Sequence, residues 1–352
     1  MYATFGKTFG EISVGMSMTA KESKRWRRAI SSNAFALNAD MGQTAKSWAE
    51  FRKQGVDLTK AVGGKGMGGA IRNLIKITAT LGIEGQQLAL MFSGLIKGFG
   101  FTTKRARALI DTVFVMGKAF NVGKEVTQEM PGILQSINKE LADFGIKASP
   151  KDVERYTLSI VKLGIGLKES LGMNIKDATA TAKNLFSTLL GERKNIINMF
   201  RGMGGEMGEL AKILAEKGGV GKALQMIQQE PAKFLDALAD MYKKAMKNGG
   251  QMSVGLQRLM GGVMKMLGPD MTFAMSGNWD KASAAMKKLG GISKDTSKNL
   301  GALSKAANKA YKSGRTAQDA FTIMLQMQEA RIQSLTQPML SKWITEQRTG
   351  FN

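Results

Sequence analysis

Histidine and cysteine are both missing from this chain, and together the two absences remove most ordinary enzyme chemistry. Without cysteine there is no disulfide, no thiolate nucleophile and no Cys-ligated zinc or iron–sulfur site, and the redox compartment stays undetermined. Without histidine the Ser-His-Asp triad, the near-neutral general base and the common zinc sites are lost as well. Only oxygen and lysine chemistry is left, so neither an enzyme nor a cofactor is expected. No Asp-rich loop of the EF-hand kind offers oxygen ligands to a metal. Proline is scarce, at five residues, and alternation of β-branched residues at period two is scarce too, which argues against strands. Long apolar runs are also lacking. The nearest, Leu88 to Phe101, is interrupted by Lys97 and falls short of the roughly 20 residues a membrane span needs. Met1 to Val14 shows no basic segment followed by a long apolar one, so no secretory signal is read there and the chain is expected to be made in soluble form.

What is present points to a large, positively charged protein with a core. The sequence has 352 residues, 43% of them hydrophobic, enough for two ordinary domains or one large one. Lys and Arg number 51 against 28 Asp and Glu, a formal charge of +23. A charge that far from zero favours a negative neighbour: nucleic acid, an anionic membrane face or an acidic protein surface. Methionine is abundant, at 25 residues, and its flexible thioether suits helix surfaces that re-pack.

Helical periodicity runs through the sequence. Ile71, Leu74, Ile75 and Thr78 share one face, as do Ala106, Leu109, Ile110, Val113 and Met116. The same spacing links Val126, Met130, Ile133, Leu134, Ile137 and Leu141, then Val153, Tyr156, Thr157 and Ile160, and finally Leu256, Leu259, Met260, Val263, Met264 and Leu267. Such stripes are core-facing helix surfaces, and the fold class they predict is all-α. A recurring phrase marks the helix ends: Leu81-Gly82-Ile83, Phe99-Gly100-Phe101, Phe120-Asn121-Val122, Phe144-Gly145-Ile146 and Leu171-Gly172-Met173. Gly or Asn takes the left-handed conformation there, and the next apolar residue folds back on the last turn. Ser149-Pro150-Lys151-Asp152 reads as a start, with an N-cap serine, a first-turn proline and an acidic third residue. The intervals between stops lengthen from 18 to 27 residues, which describes a string of short helices rather than a fixed-period solenoid.

Composition divides the chain into three. Residues 1–69 are polar, basic and glycine-rich, an N-terminal arm ending in a flexible linker at Gly63 to Gly69. Residues 70–275 carry nearly all the strong stripes and read as a compact α-helical domain. Residues 276–352 are a Lys- and Ala-rich helical arm. Its last helix, about Thr316 to Gln347, has too few large apolar residues to fold without a partner.

Few features carry chemistry. The Gly63 to Gly69 run lacks the glycine spacing and Gly-Lys-Ser/Thr ending of a P-loop, while Gly6-Lys7-Thr8 has the ending but no room upstream for the loop. Glu206 with Glu209, and Asp236 with Asp240, pair carboxylates on helix faces and read as charged surface rather than as a glycosidase pair. Lys21, Lys24, Arg25, Trp26, Arg27 and Arg28 form the densest basic cluster, with an aromatic inside it. That combination suits a phosphate backbone with base stacking, or an anionic membrane interface, and equally a solvated helix face.

Two stretches add a resemblance. Thr80 to Ile110, TLGIEGQQLALMFSGLIKGFGFTTKRARALI, resembles the glycine-punctuated helical domain of bacteriophage tail tape-measure proteins. There a Leu-Gly-Ile/Val start precedes an apolar helix, a second glycine stop and another short helix. Pro231 to Gly261 is similar to a later element of that family, a proline-led helix, a polar loop and a Leu-x-x-Leu-Φ-Gly ending, here Leu256 to Gly261. The resemblance implies a virion protein made in the bacterial host cytoplasm. It would occupy the lumen of the tail tube, set the tube's length and leave at genome ejection. Implied partners are the tail tube, baseplate or tail-tip proteins, and further copies of the chain in three or six around the axis, with transient contact to DNA and the host membrane. A fully helical chain would reach at most roughly 530 Å, at about 1.5 Å per residue. Two other readings fit the same residues: an internal ejection protein of a short-tailed phage that forms an envelope channel, and a non-specific basic nucleic-acid binder.

Overall fold

The computed structural model describes residues 2–143, 149–191, 236, 240 and 279–311. Every element among them is helical and none is a strand, so the fold is all-α. In chain order the helices are α1 (Tyr2–Gly15), α2 (Ala20–Ala36), α3 (Met41–Lys53), α4 (Leu58–Val62), α5 (Gly66–Leu81) and α6 (Gly85–Ser93), which runs into a π-helical turn, Gly94–Gly98. They continue with α7 (Thr103–Lys118), α8 (Gly123–Asp143), α9 (Pro150–Leu171), α10 (Ile175–Gly191) and α11 (Trp279–Ser293), then a 3₁₀ turn at Thr296–Asn299.

The helices begin and end where local chemistry dictates. Thr19 and Glu22 cap α2 reciprocally, each side chain accepting the other's backbone N–H, and Ser149 with Asp152 does the same for α9 ahead of Pro150. Gly82, Gly100, Asn121 and Gly172 all have positive φ. Beyond them Ile83 N–H donates to Thr78 O at 3.2 Å and Val122 N–H to Gly117 O at 2.8 Å, the 6→1 bonds of Schellman-type stops, while after the π-helical turn Phe101 N–H reaches one residue further, to Leu95 O at 3.0 Å. Phe101 and Val122 are buried, so the stop and the fold-back of the next apolar residue are one structure. The Phe144-Gly145-Ile146 phrase lies outside the described residues.

The stripes of α5, α7, α8 and α9 face inward. Ile71, Leu74, Ile75, Leu109, Val113, Met130, Ile133, Ile137, Val153 and Ile160 are all buried. Helix α9 is the hub, with α10, α11 and α8 packed around it. It carries Gly164 and Gly166 where its neighbours come closest. A Cβ on Gly164 would lie 3.1 Å from the Thr179 hydroxyl of α10, and one on Gly166 would lie 3.3 Å from the Ala282 carbonyl of α11.

The described residues up to Ser304 belong to one compact unit, and Lys305–Asn352 form a second, of which 305–311 are described and helical. This corrects the three-part division at both boundaries. Residues 1–69 are not an arm. Phe5 and Phe9 of α1 are buried with Trp48 and Phe51 of α3, the Phe9 and Trp48 rings 5.9 Å apart, and Phe51 meets Phe92 of α6 at 5.9 Å. Large aromatics at helical spacing make this core, and a composition average over a basic segment dilutes them. The Gly63 to Gly69 run is no free linker either. Gly64 sits at φ +118°, where an added Cβ would be 2.4 Å from the carbonyl carbon of Gly69, and α5 has already begun at Gly66. At the other end, α11 lays Ala282, Ala285, Met286 and Leu289 into the core. Its alanines look weak in a sequence but suit the close approach that Gly166 permits. The Leu256 to Leu267 stripe and the Thr316 to Gln347 helix lie outside the described residues.

Candidate functional site

The basic cluster is one helix, and its six residues point three ways. Buried Ile30, Asn33 and Ala34 fix the inner face of α2. At 100° per residue the opposite face carries Lys21, Lys24, Arg25 and Arg28, all exposed. Arg27 is also exposed but turns toward α1, its Nη2 3.3 Å from where a Cβ on Gly6 would stand. Trp26 is half-buried and leans on α3, its ring centroid 4.7 Å from that of Trp48.

Helices α2 and α3 run side by side in opposite directions at this point, pairing Trp26 with Trp48 and, one turn away, Glu22 with Arg52 at 4.0 Å. The Arg52 guanidinium also stands 6.0 Å from the Trp48 ring centroid, within cation–π range. The Glu22 carboxyl is held below its ordinary value by the Thr19 N–H and hydroxyl, aided by Arg52, so it is ionised at neutral pH. Trp26, Trp48, Phe51, Arg52, the Gly55–Thr59 turn and Met67 line an open, mostly apolar groove of about 330 Å³. Asp57 on that turn caps α4 through the Thr59 and Lys60 N–H groups, and its carboxyl is pulled below the ordinary range chiefly by the Thr59 hydroxyl.

The sequence pattern singles out Trp26 but not Trp48 or Arg52. The signal is there, as Glu22-x-x-x-Trp26 facing Trp48-x-x-x-Arg52. It becomes readable only when the antiparallel pairing of the two helices is known.

A second polar cluster lies across α7. Asp111, 2% exposed, accepts from the backbone N–H groups of Gly301 and Leu303, with Arg107 Nε 3.6 Å away. Arg107 also donates to Ser304 Oγ at 3.0 Å, and that hydroxyl donates to Val62 O at 3.1 Å. Nearby, Glu154 accepts from Arg105 at 2.8 Å and from the Thr296 hydroxyl at 2.8 Å. Burial, opposed by the two N–H groups and by Arg107, pushes the Asp111 carboxyl up to about 6. Its oxygens are spent on holding residues 301–303 against α7, and none of the cluster opens onto the groove, so its chemistry is that of a clasp rather than a general base.

Of the carboxylate pairs, Glu206 and Glu209 lie outside the described residues, and Asp236 and Asp240 are helical, the first half-buried and the second exposed. Among the described residues no group of three or more acidic side chains is placed to hold a metal, and no helix is long and apolar enough to cross a membrane. Compared with protein-family models, curated proteins and solved structures, the chain has no match.

Proposed function

We propose that this chain is a non-enzymatic structural protein of a bacteriophage virion, of the tail tape-measure type, that fills the tail tube, sets its length and leaves at genome ejection. The observation that carries the reading is the Thr80 to Ile110 stretch. Its sequence resembles that family, and the order that the resemblance implies, a Leu-Gly-Ile start, an apolar helix, a second glycine stop and another helix, matches Leu81-Gly82-Ile83, α6, Gly100 and α7. The other resembling stretch, Pro231 to Gly261, lies almost wholly outside the described residues. The net charge of +23 supports a negatively charged surrounding. Helix α2 turns four cations outward, which suits an acidic tube wall or the genome passing it.

One observation favours a second reading, the internal ejection protein of a short-tailed phage. The longest described helix has 22 residues, about 33 Å, and the described helices up to Ser304 pack against one another. A ruler of roughly 530 Å requires that packing to open, whereas a stored ejection protein does not.

Deletion separates the two. Removing about 18 residues from the 192–278 stretch shortens a measured tail by about 27 Å on the tape-measure reading. Tails of unchanged length would sink it. Leakage from anionic liposomes by the purified chain, with tail length unaffected by the deletion, would then favour the ejection protein.

A further inference from the structure

We infer that the groove between α2 and α3 seats an unpaired nucleobase, so that this face binds single-stranded nucleic acid in preference to duplex. The inference rests on the reading of α2 as an anion-facing helix and names its ligand.

Three observations point the same way. Lys21, Arg25 and Arg28 are exposed and spaced four and three residues apart, which puts them in one stripe about 10 Å long on the helix surface. Phosphates of a strand lying along α2 meet that stripe. On the side of α2 that faces α3, about 100° round the helix from Arg25, the Trp26 ring backs on Trp48 and fronts a groove of about 330 Å³ rimmed by the Arg52 guanidinium. That volume is at the small end of ligand pockets and has room for a planar ring. Indole and guanidinium planes are the two surfaces on which bases stack without sequence preference. Lastly, both carboxylates near the groove are matched by a cation, Glu22 by Arg52 at 4.0 Å and Asp57 by Lys60 at 3.8 Å. Neither leaves an uncompensated negative charge to repel the strand.

The other anionic partners use less of this geometry. A bilayer wants a continuous apolar strip beside the cations. The exposed large apolar residues of the first two helices, Val14 of α1 and Phe35 of α2, at 80% and 70% exposed, are single positions on separate helices. An acidic protein wall meets the cations but leaves the indole groove unused. Duplex DNA supplies phosphates but keeps its bases stacked, and only an unpaired base enters the groove.

The test is fluorescence anisotropy of the full chain with a labelled oligonucleotide of about 20 nucleotides, single-stranded and as the duplex of the same sequence, between about 50 and 200 mM salt. The single strand is expected to bind about tenfold tighter than the duplex. Trp26→Leu, which keeps an apolar side chain there and removes the stacking face, should weaken the single strand about tenfold and leave the duplex within about twofold. Changing Lys21, Arg25 and Arg28 together to Gln is free of folding risk because all three are exposed. It should weaken both forms and, for the single strand, lower the salt slope by about 0.7 for each phosphate that is no longer neutralised. Equal affinity for strand and duplex, or Trp26→Leu affecting both alike, overturns the base-seating inference and leaves the anion-facing helix standing. Absence of salt-dependent binding to either form, or binding only to phosphatidylglycerol vesicles, overturns the inference as well, and the first of these also removes α2 as a nucleic-acid-facing surface.

Discussion

Replacing Asp111 by alanine is expected to cost about 3 kcal/mol of folding stability at neutral pH, because it breaks a buried, hydrogen-bonded charge pair from one side. The substitution leaves the Gly301 and Leu303 N–H groups without their acceptor and Arg107 without the carboxylate 3.6 Å from its Nε. Each orphaned group then bears its own desolvation cost. Amide exchange at Gly301 and Leu303 should accelerate while exchange in α9 follows global stability only, since the clasp is local. The pH dependence has a definite sign. The folded carboxyl is raised from an ordinary 3.8 to about 6, chiefly by burial. A raised value means that the folded chain holds this proton more tightly than the unfolded chain does. The proton-linked part of the stability contributed by Asp111 is therefore fully present below about 3.8 and is lost as pH rises through about 6, which leaves the hydrogen bonds to Gly301 and Leu303 and the Arg107 pair as its contribution at neutral pH. The difference between wild type and Asp111→Ala should accordingly grow as pH is lowered from 6 toward 4. Denaturant unfolding of both proteins across that window reads it. A cost under about 1 kcal/mol at neutral pH, or a difference that shrinks on acidification, would contradict the clasp.

Gly64→Ala is the second large effect. The backbone there has φ +118°, and the new methyl carbon would stand 2.4 Å from the carbonyl carbon of Gly69 and 2.6 Å from its oxygen. Backbone cannot step aside as a side-chain tip can, so strain and overpacking add to about 3 kcal/mol or more. Gly66, two residues on, is the control. Its φ is +63° but nothing lies within 4 Å of an added Cβ, so Gly66→Ala carries only the left-handed penalty, about 1 kcal/mol. Thermal unfolding of the two variants distinguishes a packed turn from a free linker, because a linker would tolerate both substitutions equally.

That contrast also shows how far the sequence can be read. Helix stops are legible because a stop is local: Gly82, Asn121 and Gly172 need only a left-handed residue and an apolar residue beside it, and both are written within three positions. The stripes of α5, α7, α8 and α9 are legible for the same reason, as periodicity along one helix. Long-range fit is not. Whether Gly63 to Gly69 is a loose tether or a tight turn depends on what lies against it, and composition describes only the run itself. Asp111 looks like any helical acid until residues 301–303 arrive from 190 positions away. The candidate site divides in the same way. Its cations and Trp26 stand out as a cluster, whereas the groove exists only through Trp48, Arg52 and the Gly55–Thr59 turn, which the chain brings back from α3 and beyond.

Function turns on where the protein sits. The place proposed for it is the tail lumen, surrounded by negative charge and reached without catalytic chemistry. The measurement that tests this most directly is cryo-electron microscopy of the virion whose genome encodes the chain, with the protein located by antibody or by difference from a deletion mutant. A tape-measure role predicts density inside the tail tube, in three or six copies about its axis, that is lost from particles after genome ejection. Density confined to the capsid interior, or a virion that lacks the protein altogether, would contradict it.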